Sequence, residues 1–168
     1  MGVIARIHTT MNVMNSDTLP TPEDCNCLAV RQAARHVTQF YDAFLLAAGL
    51  RTTQFSILAK LRRLGPMTIN ALAAEMVMDR TTLGRNIRPL QREGLLAVAP
   101  GQSDRRSKEL RLTEAGVERL RTAVCGWTRA QERFAAVFGA ERAAELRSLL
   151  HTVSRSDLGA AAARECSR

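Results

Sequence analysis

Arginine recurs at positions 80, 85, 88 and 92 of the segment DRTTLGRNIRPLQREG (79–94), interleaved with Thr81, Thr82 and Asn86. Guanidinium forks grip phosphates and guanine edges in pairs of hydrogen bonds, and small hydroxyl or amide side chains reach base edges singly. A little further on, QSDRRSK (102–108) sets Ser103, Asp104, Arg105, Arg106 and Lys108 in a run of turn formers. A different chemistry is open to Cys25 and Cys27, one residue apart where a helix is expected to begin. Helix starts are where oxidants and soft metals find reactive thiols. The pair is too close for an unstrained mutual disulfide, and the competing reading makes both thiols small apolar groups in a subunit interface. His36 and His151 have no acid or thiol neighbours that would complete a metal site, so no metal and no cofactor is expected. The chain has no Gly-rich phosphate loop, no nucleophile elbow, no His-Glu-x-x-His and no Cys-x-x-Cys, which argues against an enzyme.

The elements that must position these residues follow from periodicity. Residues 1–24 show no sustained period and carry Pro20 and Pro22, so they form a flexible arm. Asp24 caps a helix to about Ala48, stopped by Gly49. A second helix runs from Thr53 to Leu64, ended by Gly65 and Pro66, and Thr68 caps a short third one. In the fourth, with about 100° per residue and Leu83 as origin, Ile87 falls near 40° and Leu90 near 340°. On that wheel Arg88, Thr81, Arg92, Arg85, Pro89 and Thr82 fall roughly between 140° and 260°. One face packs, the other presents guanidiniums and hydroxyls, and Gly84 keeps the flank slim. After Gly94 the period changes to alternation, in Leu96–Ala99 and again in Glu109–Leu112, giving two short strands joined by the basic loop. Thr113 caps a long helix that Gly139 breaks, and a last helix runs from Ala140 to Ser156.

The order is helix, helix, helix, helix, strand, strand, helix, helix. It is mainly α with a small two- or three-stranded β-wing, a winged helix-turn-helix between N- and C-terminal helices. The expected segments are an arm (1–24), a winged helix-turn-helix domain (51–112), the helices that flank it (25–50 and 113–157) and a C-terminal tail (158–168).

Charge has the same centre. The chain of 168 residues carries a net +8, of which +7 lies within residues 51–112, and 22 of its 24 basic residues are arginine. A cationic middle in a nearly neutral frame implies a polyanionic partner. An apolar fraction of 46% excludes a disordered polyelectrolyte, and 4% aromatics argue against stacking platforms for single strands. No apolar run is long enough to span a bilayer, and the N-terminus lacks a cleavable export signal. With four cysteines read as thiols, a cytoplasmic protein without a membrane partner is expected.

At DRTTLGRNIRPLQREGL, followed by SDRRSKELRLTEAG, the chain resembles the MarR family of transcriptional regulators. The resemblance covers roughly Gln54 to Gly116, with Asp104 and Arg106 in the wing and Leu112, Thr113 and Gly116 after it. It implies a homodimer with interlocked first and last helices, which makes 25–50 and 113–157 the dimerisation helices. Arg80, Thr81, Thr82, Arg85, Asn86 and Arg88 would contact double-stranded DNA in the major groove. Ser103, Asp104, Arg105, Arg106 and Lys108 would form the wing contact, with Arg106 in the minor groove and Asp104 bracing it. A small-molecule effector would sit in a cleft near Arg31, Arg35, Tyr41, Phe44 and Phe55. Three functions are therefore weighed. The first is a repressor released from a pseudo-palindromic operator by a ligand. The second is a redox or soft-metal regulator acting through Cys25 and Cys27. The third is a non-specific architectural DNA-binding protein.

Overall fold

The computed structural model describes residues 21–101, 106–158 and 164–165. The chain divides into two compact units, Met1–His36 and Val37–Arg168. In the first, Pro22–Asp24 form one 3-10 turn and α1 (Asn26–Leu45) begins. The sequence places the cap at Asp24, but the helix starts one residue later. Proline lets the chain turn once first, and the Asp24 carboxylate is taken up by the Thr21 hydroxyl. Cys25, extended at φ −82° and ψ 105°, holds the cap position instead, its Sγ accepting the Leu28 N–H at 3.4 Å.

The second unit holds the end of α1, then α2 (Thr52–Leu64), α3 (Ile69–Glu75), α4 (Arg80–Arg92), α5 (Glu114–Phe138) and α6 (Ala140–Arg155). Its sheet has the order β1 (Met67–Thr68), β3 (Lys108–Leu112), β2 (Leu96–Pro100), all antiparallel. Val98 and Met67 both sit opposite Leu110, which turns its side chain into the core. Strand β1 is absent from the periodicity because two residues cannot show a period; the β3 register recruits them. The buried stripe Leu83, Ile87, Leu90 of α4 joins Leu58 and Leu61 of α2, Leu72 of α3, Leu96 and Leu110 of the sheet and Leu120 of α5 in one core.

Three helix ends close in the same way, with two crossed backbone bonds around a left-handed residue. At Gly49 (φ 67°) the bonds are Gly49 N–H to Leu46 O and Leu50 N–H to Leu45 O, at 2.9 and 3.4 Å. At Gly94 (φ 70°) they run to Gln91 O and from Leu95 N–H to Leu90 O, at 3.0 and 2.9 Å. At the end of α3 the same position is filled by Val77 (φ 49°), with Val77 N–H to Ala74 O at 3.1 Å and Met78 N–H to Ala73 O at 2.9 Å. A β-branched side chain at positive φ is strained by about 1–2 kcal/mol, and Val77 is 75% exposed, so burial offsets little of it. Val77→Asn is therefore expected to raise unfolding stability by about 1 kcal/mol, because Asn enters the left-handed region more readily. Urea titration checks this; a lower midpoint at unchanged slope would mean the isopropyl group packs usefully.

Two glycines of α5 mark where helices touch too closely for a methyl group. A Cβ on Gly126 would stand 2.4 Å from the Phe44 carbonyl oxygen, and one on Gly116 would stand 2.2 Å from that of Leu95. The start of α2 is capped from a distance. Asp42 of α1 accepts both the Thr52 N–H and the Thr52 hydroxyl at 2.7 Å, and its other oxygen lies 3.4 Å from Arg51. Gln54 takes the Arg51 N–H at 2.8 Å.

Candidate nucleic-acid interface

Helix α4 begins where Asp79 accepts the Thr82 N–H at 2.8 Å. Hydrogen bonds from Thr82, side chain first and then backbone, hold the Asp79 carboxyl below its ordinary value. The cap thus stays charged through neutral pH; its contribution is present above the ordinary aspartate pKa and fades as pH falls through the lowered one. This carboxylate occupies the backbone N–H groups of the helix start, so what α4 offers a ligand is its side chains.

Those side chains share one groove of about 540 Å³ between α4 and the sheet. Arg80, Thr81, Arg85, Arg88 and Gln91 come from α4, Lys108 from β3, and Ile87, Val98 and Leu110 supply apolar surface. Gly84 lies mid-face, with nothing within 4 Å of where its Cβ would be, so the groove stays open to its floor. Four cations line it and, among the described lining residues, no acid. The described ion pairs lie elsewhere: Arg51–Asp42, Lys60–Glu75, Arg111–Glu109, Arg119–Glu93 and Arg121–Glu118. The cations of α4 and Lys108 thus carry charge that no described acid neutralises.

Not every expected contact residue joins this groove. Thr82 and Asn86 lie outside it, and Asn86 donates its amide back to the Thr82 carbonyl at 2.9 Å. Gln91 does line the groove; at about 80° on the wheel it stands outside the polar arc opposite Leu83, and it joins because the wing approaches α4 from the side. Arg106 is exposed in the turn before β3. Ser103, Asp104 and Arg105 lie outside the described residues.

A second, larger groove of about 1120 Å³ lies among α2, the end of α3, α5 and the end of α6. Phe55 and Trp127 stack in it at 6.0 Å with an 18° angle between rings. Lys60, Arg62, Arg63 and Arg155 line it, with His151 and Glu75. Lys60 holds Glu75 at 2.8 Å, a hydrogen bond that keeps this carboxyl below its usual range. Of the expected ligand residues, Phe55 is here. Tyr41 and Phe44 instead pack with Phe40 and Phe134 in a separate aromatic cluster, and burial raises the Tyr41 hydroxyl pKa. Arg31 and Arg35 are exposed in the first unit, as are Cys25 and Cys27. Among the described residues no group of His, Cys, Asp and Glu is placed to hold a metal, and no helix is long and apolar enough to cross a membrane.

The family model for the MarR family matches residues 50–108. No curated protein sequence matches the chain. Among solved structures, the Mycobacterium tuberculosis transcriptional regulator MosR in complex with DNA is 35% identical, covering 85% of this chain and 98% of that one, with a TM-score of 0.70. The transcriptional repressor CouR bound to a 23-mer DNA duplex is 26% identical over 82% of this chain and 99% of that one, with a TM-score of 0.71. CouR from Rhodococcus jostii RHA1 bound to p-coumaroyl-CoA is 20% identical over 82% and 96%, with a TM-score of 0.68, a likeness of fold.

Proposed function

From the premise that this chain belongs to the MarR family of DNA-binding transcription regulators, we propose that it is a homodimeric repressor of a pseudo-palindromic operator, released by a small molecule. The observation that carries the DNA contact is the groove in which four α4 and wing cations converge without a described acid. In this reading α4 enters the major groove, where Arg85 and Arg88 read base edges and Arg80, Thr81 and Lys108 hold phosphates. Arg106, at the wing, reaches the minor groove. Two copies related by a two-fold axis place their α4 helices about 34–36 Å apart, one turn of duplex. That MosR, 35% identical to this chain, was solved in complex with DNA supports a DNA partner.

The larger groove is the seat proposed for the effector, since it combines a stacked aromatic pair with cationic walls and touches α3, α5 and α6 together. A ligand there acts only by preferring the dimer whose α4 spacing does not match the operator. Selecting bound fragments from genomic DNA, then footprinting them, tests the proposal. A short inverted repeat protected over bulk DNA at fixed salt is expected. Equal affinity for every duplex, lost only as salt rises, would instead establish the architectural reading.

One observation favours a second trigger. Cys25 and Cys27 are exposed, and Cys25 Sγ already accepts a backbone N–H at the helix start. In this version a peroxide oxidises the thiol to a sulfenic acid and the dimer leaves DNA. Peroxide-induced release that persists in both Cys25→Ser and Cys27→Ser would remove it.

A further inference from the structure

The turn that follows α4 is bound to the start of α5 at several points. The Thr113 hydroxyl donates to the Gly94 carbonyl at 2.7 Å and accepts the Gly116 N–H at 3.0 Å. The Thr113 N–H donates to Leu95 O at 3.2 Å, the same oxygen against which Gly116 leaves no room for a Cβ. One turn along, Arg119 reaches Glu93 at 3.2 Å, while Leu112 pairs with Leu96 across the sheet. Four successive residues, Glu93 to Leu96, are therefore each held by residues 112–119. Thr113 is central, because one oxygen both caps α5 and closes the last turn beyond α4.

We propose that Thr113 is a positioning residue for DNA recognition, a joint that makes α4 turn as one body with the first turns of α5. The inference rests on the dimeric, operator-reading function proposed above. If α5 belongs to the dimer scaffold, its tilt sets the spacing of the two α4 helices directly. An effector that shifts α5 then needs no separate contact with α4. A loose joint leaves each α4 chemically intact but mis-set, so specific binding suffers while phosphate attraction does not.

The test uses the full chain with Thr113→Val, which keeps shape and loses the hydroxyl, and Thr113→Ser, which keeps the hydroxyl. Thr113→Val is expected to remain dimeric and to bind a non-operator duplex with unchanged affinity and salt slope. Its operator affinity should fall about tenfold, as for a hydrogen bond whose partners are left unmade, and Thr113→Ser should restore it. Operator affinity unchanged in Thr113→Val, or specific and non-specific affinity falling together, overturns the proposal. Should Thr113→Val fail to fold, Arg119→Glu and Glu93→Arg serve. Each alone should weaken operator binding and the pair together should recover it; no recovery overturns the joint. Amide hydrogen exchange without DNA separates this from a failed functional reading. In the wild type the residues around Gly94 and Gly116 should open together, and in Thr113→Val the end of α4 should exchange about tenfold faster than α5 beyond Ala123. Exchange unchanged there overturns the joint even if the wild type proves to have no preferred operator.

Discussion

Leu149→Glu combined with Val153→Glu is expected to yield a folded monomer whose operator affinity falls by about 10²–10⁴-fold, the loss of a second tethered contact. Both side chains are exposed, at 58% and 50%, and stand four residues apart on one face of α6 beside Leu150. Helix α6 buries only Ala143 fully within its own chain, so these substitutions remove little from the subunit's core. Such an apolar stripe on an otherwise charged helix fits a second copy of the chain, and two carboxylates there would have to lose water without partners. Sedimentation gives the mass and a gel shift gives the affinity. A dimer of undiminished stability would place the interface elsewhere, and the proposed operator symmetry would lose its basis.

Arg85→Ala is expected to cost about 1–3 kcal/mol of operator binding and to relax preference at the base pair it contacts, as for a fork on guanine. The side chain is exposed, no described acid engages it, and it lines the groove beside Gly84 and Arg88. Removing it therefore breaks no described ion pair within the protein, and the loss would read as lost contact with DNA. Binding measured over a panel of single-base operator variants separates the outcomes. A uniform loss across the panel would reassign Arg85 to phosphate, with the salt slope reduced by about one.

Most elements were legible because their signals are local. The three-and-four spacing of Leu83, Ile87 and Leu90 marks the buried face of α4, and Thr68 and Thr113 each accept the backbone N–H expected of a cap. Gly49 and Gly94 end helices at positive φ, where glycine is the cheapest choice. The third closure leaves no mark in the sequence because Val77 stands where glycine is usual; its two backbone bonds show the motif when its residue does not. Asp42 was invisible as a cap because the helix it serves starts ten residues on and across a turn. The site was half legible for a similar reason. Helical spacing found the cations of α4, but only the approach of β3 decides that Gln91 shares their groove and Asn86 does not. Phe55 and Phe44 look alike in sequence; stacking on Trp127 puts one in the larger groove, while the Phe40–Phe134 cluster claims the other.

The pairing of Phe55 with Trp127 has an optical consequence. Trp127 is the sole indole in the chain, and residues 64–112, with α4 and the sheet, contain no aromatic side chain. Indole emission, excited at the red edge of the ultraviolet band where tyrosine does not absorb, therefore arises beside the larger groove and not on the face carrying Arg85 and Lys108. Quenching or a colour shift of that emission reports what enters the groove, and a dye attached to the duplex reports the other event, so the two can be followed in one cuvette without labelling the protein.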